Sequence, residues 1–567
     1  MEMVSIGMEI QPTYVTLDRL LYGRLFRIPQ YQRAYSWQSK QRKDLFDDIK
    51  SIRNNGDTRS HFMATVVGLR RGKQKIVTEE HQIIEVVDGQ QRLCTLIILL
   101  KAISKALDRT IKIEEKIGKE IDSTLVKDDD ATLLLLQTNH DSSNYFADYL
   151  RNGNSPSPKS ATTSADQELL SCIVDCERFV SRWQQRNKSL TDLVDILKNR
   201  LTFVFHEIAD EGLVYSVFEV LNSRGLPVSW VDRLKSSLMA IVFDSKIDNR
   251  MEIIEEVHSL WTEIYGIIGL RLGLSTESLR FAATLKSSQC PSRPLSEEDA
   301  VDLLVSSCNG KPKKVIEVTT WLKTVTEAVN RLLEDQRRSA VSRISQARLL
   351  ATAVYLRSDL SDLEQKKILD CWEKVTFRIY GMYGKDARTS VGEYVRLAWN
   401  IANQKMRGDE IRAQLTIIGE EFPAKGAVDS LRKKDCYNGW QEELIYFFYR
   451  YEEYLSGKAG QKFDNAQWNK IWQGRPTDSI EHIFPQSQTE SEWVHWLGNL
   501  LILPPKLNSS LGKKKPTAKR DSYINSGLLI AQDVASKLER DNWNKNSILK
   551  RENAILSWAR REWKDCD

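Results

Sequence analysis

The stretch from Ile83 to Ala106 most constrains the fold. Ile83 to Val87 is a short β-branched run that suits a strand. Asp88-Gly89 interrupts it, and an apolar helix from Leu93 to Ala106 follows at once. Strand, tight turn and helix in direct succession read as α/β architecture. They also form a natural anion site. The N–H groups of a helix's first turn point outward, the helix dipole favours negative charge, and Arg92 adds a planar fork for phosphate. The competing reading is a simple cap: Asp88 closes the helix and Arg92 is solvated. The turn is not a Walker loop, because G-x-x-x-x-G-K-[ST] is absent.

The rest of the N-terminal region alternates in the same way. Tyr14 to Leu21 reads as helix and Phe26 to Pro29 as a short strand. Ser39 to Ile52 is an amphipathic helix with Leu45, Phe46, Ile49 and Ile52 on one face. Ala64 to Leu69 and Leu201 to Ile208 read as strands. Between 110 and 205 the pattern is mostly helical, broken by a Ser/Pro/Thr-rich loop from Asn152. Residues 212–245 read as helix, turn and helix, and 246–435 are helical throughout. No internal repeat is evident. Three regions follow: an α/β domain with a helical insertion (1–245), a helical linker (246–435) and a C-terminal domain (436–567). The last holds 8 of the 15 Trp residues, which implies a compact aromatic core. The fold class expected is therefore α+β and mostly helical.

Composition narrows the setting. Apolar runs such as Leu96 to Leu100 are far too short to span a bilayer. The first residues, Met1-Glu-Met-Val-Ser-Ile-Gly, lack a basic segment and an apolar signal core. Eight Cys without C-x-x-C spacing fit a reducing compartment, so the expected location is cytoplasmic. The net charge of +5 is unevenly placed: Lys506 to Asp567 holds 14 Lys and Arg against 8 Asp and Glu, a balance of +6. Its densest run, Lys513-Lys514-Lys515 with Lys519 and Arg520, suits phosphate contact better than a merely solvated face.

That basic run follows a constellation suited to phosphodiester hydrolysis. Asp478-Ser-Ile-Glu481-His482-Ile-Phe-Pro485 precedes Gly498-Asn499-Leu-Leu-Ile-Leu and then Lys506-Leu-Asn508-Ser-Ser. The reaction needs a base to activate water, a cation to stabilise charge, and in-line geometry. His482 has the right acidity for the base. Glu481 and the amide oxygen of Asn508 are hard ligands for Mg²⁺ or Mn²⁺. Asn499 can brace the His482 loop, and Asn508 reads as the N-cap of a following helix. Adjacent strand residues point to opposite faces, so Glu481 and His482 need a bend to converge, and Pro485 marks one.

These residues resemble an HNH, or ββα-metal, nuclease of the form E-H-I-x-P, G-N-L-x-L, L-N-S and a trailing Lys. The resemblance implies His482, Asn499 and Lys519 as catalytic residues and Glu481 and Asn508 as metal ligands. No zinc knuckle accompanies them. Asp88-Gly89-Gln90-Gln91-Arg92, Gln32-Arg33 and Asn222-Ser-Arg224-Gly together resemble the D-G-Q-Q-R family, whose fold is ParB-like and related to sulfiredoxin. That implies a nucleotide pocket lined by Gln32, Arg33, Asp88, Gly89, Gln90, Gln91 and Arg92, with Asn222, Arg224, Asp232 and Lys235 as secondary candidates. GTP, ATP and UTP are not distinguished. The two parts in this order resemble GmrSD-type, modification-dependent (type IV) restriction enzymes. Such a resemblance implies a metal-dependent DNA endonuclease with NTPase activity, acting on double-stranded, modified phage DNA. No membrane is implied as a partner, and a homo-oligomer or partner proteins of a defence system are compatible. Tyr31, Tyr35 and Trp37 are candidates to read a modification, or core. The alternatives are a nucleotide- and DNA-binding sensor that cuts only within a complex, and an RNA-cutting toxin.

Overall fold

The computed structural model describes residues 12–566 apart from short internal stretches: 30–31, 55–60, 128–131, 138–143, 187–188, 209–228, 463–464, 473–474, 539–542 and the single positions 244, 246, 270, 342, 405 and 490. It is mostly helical, at 66 %. It divides into two units, one formed by Met1–Leu279 and Glu297–Thr326, the other by Arg280–Ser296 and Glu327–Asp567. The helices of the 246–435 region are shared between the two.

The first unit is built on a mixed six-stranded sheet. Its strands are β1 (Pro12–Thr16), β2 (Arg24–Ile28), β3 (His61–Ile76), β4 (Glu79–Asp88), β5 (Leu135–Gln137) and β6 (Leu201–Ile208), in the order β1-β6-β3-β4-β2-β5. The β1–β6 and β3–β4 pairs are antiparallel; β6–β3, β4–β2 and β2–β5 are parallel. Tyr14 to Thr16 are thus strand, not helix: only Leu17–Leu21 is helical. Pairing of Tyr14 with Val204 and of Val15 with Phe203 overrides the local helical pattern. The helix that follows β4 runs from Gln90 to Ala106 and is buried along nearly its whole length. It packs against the helix Ser164–Gln185. Cys172 and Cys176 lie on the inner face of that helix, both fully buried.

The second unit is helical around an aromatic core. Phe447 stacks on Trp563 at 5.0 Å, and Trp558 meets both edge-on. Glu373, 1 % exposed, is held by Arg337 at 3.0 Å, Arg450 at 3.0 Å and the Tyr446 hydroxyl at 2.6 Å. Burying this charge is tolerable because two guanidinium groups stand against it. A disulfide joins Cys371 to Cys566. This pair departs from the expectation of eight unpaired cysteines in a reducing setting. A small antiparallel hairpin, β7 (Ile480–His482) with β8 (Leu500–Ile502), is followed by the helices Pro505–Leu511 and Pro516–Ile524.

Candidate active site

β7 is buried at all three positions. Glu481 pairs with Leu501 and His482 with Leu500, and Ile483 N–H donates to the Asn499 carbonyl at 2.9 Å. Gly498 opens the second strand's approach. A Cβ there would lie 2.1 Å from the Ile548 carbonyl oxygen, so only glycine lets the helix Lys545–Glu562 come this close. Arg551 of that helix, buried, donates to the carbonyls of Gly498 at 3.0 Å and Leu500 at 2.7 Å.

Asn499 is fully buried and uses its whole amide. Its oxygen accepts from Phe484 N–H at 2.8 Å and Trp543 Nε1–H at 3.1 Å. Its nitrogen donates to the Phe484 carbonyl at 3.0 Å and the Val494 carbonyl at 2.8 Å. The residue thereby locks the loop immediately after His482. It acts on that loop and is a positioning residue.

His482 itself is buried. Its Nε2 lies 3.1 Å from Nδ1 of His495, so one ring nitrogen donates and the other accepts. The Tyr437 ring meets His482 edge-on at 4.5 Å and stacks on His495 at 5.4 Å. Burial, reinforced by His495 and Lys519 and opposed by Asp435, pushes the His482 pKa down to about 3. At neutral pH the imidazole is uncharged, the state a general base must start from.

Glu481 points to other partners. Its Oε1 accepts from Lys519 Nζ at 2.7 Å and the Tyr523 hydroxyl at 2.8 Å. Lys519 also donates to the His482 carbonyl at 2.6 Å. Burial raises the carboxyl's pKa and lowers the ammonium's, while their pairing opposes both shifts. Asn508 is not a helix N-cap. The helix starts earlier, at Pro505, where proline's missing N–H costs nothing. From inside that helix the Asn508 amide nitrogen reaches back to the carbonyls of Asp478 at 2.8 Å and Ile480 at 3.1 Å. The structure thus ties Asn508 to the backbone flanking Glu481. A carboxylate and an amide oxygen are the donors a hard divalent cation takes, so the set fits Mg²⁺ or Mn²⁺. Lys519 holds the Glu481 oxygen with a positive charge of its own. Among the described residues no group of three His, Cys, Asp or Glu forms a metal site.

The basic run divides. Lys513, Lys514 and Lys515 are exposed, and Arg520 is half-buried and paired with Asp521 at 3.1 Å. Lys519 does not join them. It is buried behind β7 and belongs to Glu481, which takes it out of the expected DNA-contacting set. His495, Tyr437 and Tyr523 escaped the sequence reading. Tyr523 lies four residues after Lys519 on one helix face, a spacing that offered a signal. Nothing in the sequence pairs His495 with His482.

In the first unit the Asp88 turn has the expected form. Gly89 adopts φ +90°, and a Cβ there would meet Val66 Cγ2 at 3.1 Å and the Thr65 carbonyl oxygen at 3.2 Å. No side chain caps the helix it opens. The three glutamines stitch backbone to backbone. Gln32 donates to the Val87 carbonyl at 2.8 Å, Gln90 to the Arg33 carbonyl at 3.1 Å, and Gln91 to the Ala34 carbonyl at 3.1 Å while accepting from Ser36 N–H at 2.8 Å. Their amides therefore build the turn. Arg33, Asp88 and Arg92 are the charged groups at this turn. Burial lowers both arginine pKa values and raises that of Asp88, each countered by its neighbours: Asp88 and Asp232 beside Arg33, Asp88 and Asp48 beside Arg92. Arg92 also lies 5.5 Å over the Trp37 ring. Gln90 Oε1 is buried without a hydrogen-bond partner. An uncapped helix start and two arginines are the donors a phosphate-bearing ligand takes, whereas the unused Gln90 oxygen is an acceptor and offers a phosphate nothing. Asp232 is occupied locally: it accepts from the Ser229 and Tyr265 hydroxyls. Lys235 is buried with its ammonium 5.5 Å from the Tyr265 ring. Tyr35 and Trp37 are core, Tyr35 bonded to the Thr95 hydroxyl at 2.8 Å. Tyr31, Asn222 and Arg224 lie outside the described residues.

Two family models match this chain. The N-terminal domain of the GmrSD restriction endonuclease matches residues 17–239, which contain the glutamine-stitched turn. The C-terminal domain of GmrSD restriction endonucleases matches residues 427–558, which contain the His482 hairpin. The protein is thus a nuclease, a hydrolase of the restriction class, whose substrate is DNA. It belongs to the GmrSD restriction endonuclease family and to the defence function that family serves. No curated protein matches the chain. Among the described residues no helix is long and apolar enough to cross a membrane.

Proposed function

We propose that the protein is a metal-dependent, NTP-regulated DNA endonuclease that acts on modified foreign DNA, with an HNH-like C-terminal domain and a ParB-like N-terminal domain. The observation that carries the catalytic part is His482: a neutral imidazole at the end of β7, beside a loop locked by Asn499 and one residue from a buried carboxylate. In this reading His482 takes the proton of the attacking water. Asn499 keeps the imidazole in place through Phe484, and exposed Lys513, Lys514 and Lys515 hold the phosphate backbone. Glu481 and Asn508 would hold Mg²⁺ or Mn²⁺, which supplies charge stabilisation at the phosphate and leaving oxygen. Arg33 and Arg92, with the helix start at Gln90, would bind the NTP phosphates.

The test is nicking of supercoiled plasmid, modified and unmodified, with Mg²⁺ and with each NTP in turn. His482→Ala should lose on the order of 10²–10⁴-fold in rate with an unchanged circular dichroism spectrum. Nicking by that variant at the wild-type rate would remove His482 from the mechanism.

A further inference from the structure

A second basic surface lies in the first unit, away from the Asp88 turn's own residues. Between the helices Ser39–Asn54 and Ser164–Gln185 is a cavity of about 250 Å³. One wall carries Lys43 and Lys50, seven residues apart and therefore on one helix face. The other carries Arg178, Arg182 and Arg186, at every fourth residue along the second helix and its C-terminal cap. A four-residue step advances about 6 Å along a helix, so the three guanidinium groups form a regular row.

Acidic residues cancel only part of this charge. Asp175 is the one carboxylate lining the cavity. It is bonded to Arg42 at 2.9 Å, an arginine only 2 % exposed, and to Arg178 at 3.0 Å. Lys50 pairs with Asp47 at 2.8 Å. Asp44 and Asp48 on the same helix do not line the cavity. Lys43, Arg182 and Arg186 are exposed and make no ion pair among the described residues. A solvated helix face ordinarily mixes its charges. Here the lining holds five cations against one carboxylate, so two helices turn predominantly basic faces toward one groove.

The floor is apolar. Phe46 stacks on Phe179 at 4.6 Å, and Phe179 meets Trp183 at 5.9 Å. All three rings are buried. A row of cations above an apolar floor suits a ligand that carries charge along a line.

We propose that this groove holds the phosphodiester backbone of the DNA substrate, as a second contact surface in the N-terminal unit. The proposal rests on the DNA-cutting reading for its ligand but concerns binding alone. A polyanion that neutralises cations releases counterions, so each lost contact lowers the log–log salt slope of binding by about 0.9.

The experiment measures binding of the full chain to a short fluorescent DNA duplex across a salt series, in EDTA so that nothing is cut. Lys43→Glu, Arg182→Glu and Arg186→Glu combined should lower the slope by about 2–3. Arg182→Lys with Arg186→Lys should leave it unchanged. Because the three side chains are exposed, the melting temperature should not move. If it does, the neutral set Lys43→Gln, Arg182→Gln and Arg186→Gln decides the matter with a slope change of the same sign. A parallel titration with inorganic pyrophosphate and ATP separates a small-molecule site from a backbone site. An unchanged DNA slope overturns the proposal, as does loss of pyrophosphate or ATP binding with DNA binding intact. Failure of the nuclease reading would look different: His482→Ala would nick normally while the slope still fell.

Discussion

Asn499→Ala tests how far the site depends on a braced loop. The wild-type amide makes four hydrogen bonds in a fully buried position, two to Phe484, one to Val494 and one to Trp543. Alanine removes all four and strands two N–H and two C=O partners. At a net value of about 1 kcal/mol per bond, the loss is about 4 kcal/mol. Two bonds share Phe484, so they will not add fully, and a water entering the vacated space would satisfy some partners. Both effects set a lower bound of about 2 kcal/mol. Urea unfolding of the full chain, followed by tryptophan fluorescence, measures the change. Asn499→Asp sharpens the comparison. It keeps both accepted bonds but sets a carboxylate against the Phe484 and Val494 carbonyls, so it should destabilise at least as much. Plasmid nicking should fall in both variants, and raised Mg²⁺ should not restore it, because the lost element is loop geometry. A stability change below about 1 kcal/mol with normal nicking would refute the reasoning.

Other outcomes follow from the same geometry. The folded pKa of His482, about 3, lies below its ordinary 6.5, so protonation opposes folding: the neutral ring's contribution is complete above pH 6.5 and is lost as pH falls toward 3. Without added divalent cation, wild type should therefore lose about 2–3 kcal/mol more than His482→Ala between pH 7 and 4.5, measured by urea unfolding at each pH; parallel curves would disprove the shift. Lys513→Glu with Lys514→Glu should lower the salt slope of DNA binding by about 2, and an unchanged slope would return that run to solvent. Arg92→Ala should weaken NTP binding in a calorimetric titration and alter plasmid nicking across an NTP series. Identical nicking by an enzyme that no longer binds NTP would show that the Asp88 turn does not regulate cleavage.

Much of the architecture was legible because it rests on local pattern. The β-branched run before Asp88, the glycine after it and the helix beyond are set by residues within a few positions of one another. The same holds for Asn499 at the head of β8, whose bracing role follows from an amide beside a loop. Misreadings arose where distant partners decide. Tyr14 to Thr16 carry a helical pattern, yet β6, nearly two hundred residues later, recruits them as an edge strand. Asn508 looks like a cap until Pro505 starts the helix a turn earlier. Lys519 sits in a basic run and reads as surface. Only the fold shows that its ammonium turns inward to Glu481. The pairing of His482 with His495 is a property of the hairpin's closure, and no spacing rule announces it.

The placement of Lys519 changes what the Glu481–His482 neighbourhood means. Strand alternation sends the two side chains to different partners, the carboxylate to Lys519 and Tyr523, the imidazole to His495 and Tyr437. A carboxylate buried this deeply cannot keep its charge without a cation against it. Lys519 supplies that cation from the protein itself, and by bonding the His482 carbonyl it also ties the carboxylate's position to the strand carrying the base. In the reading proposed above, Glu481 and Asn508 would hold a divalent ion that would supply charge stabilisation at the phosphate, while Lys519 would keep its bond to the backbone carbonyl of His482. The lysine that the sequence offered as a phosphate contact is better understood as the counter-ion that keeps this buried carboxylate charged within the fold.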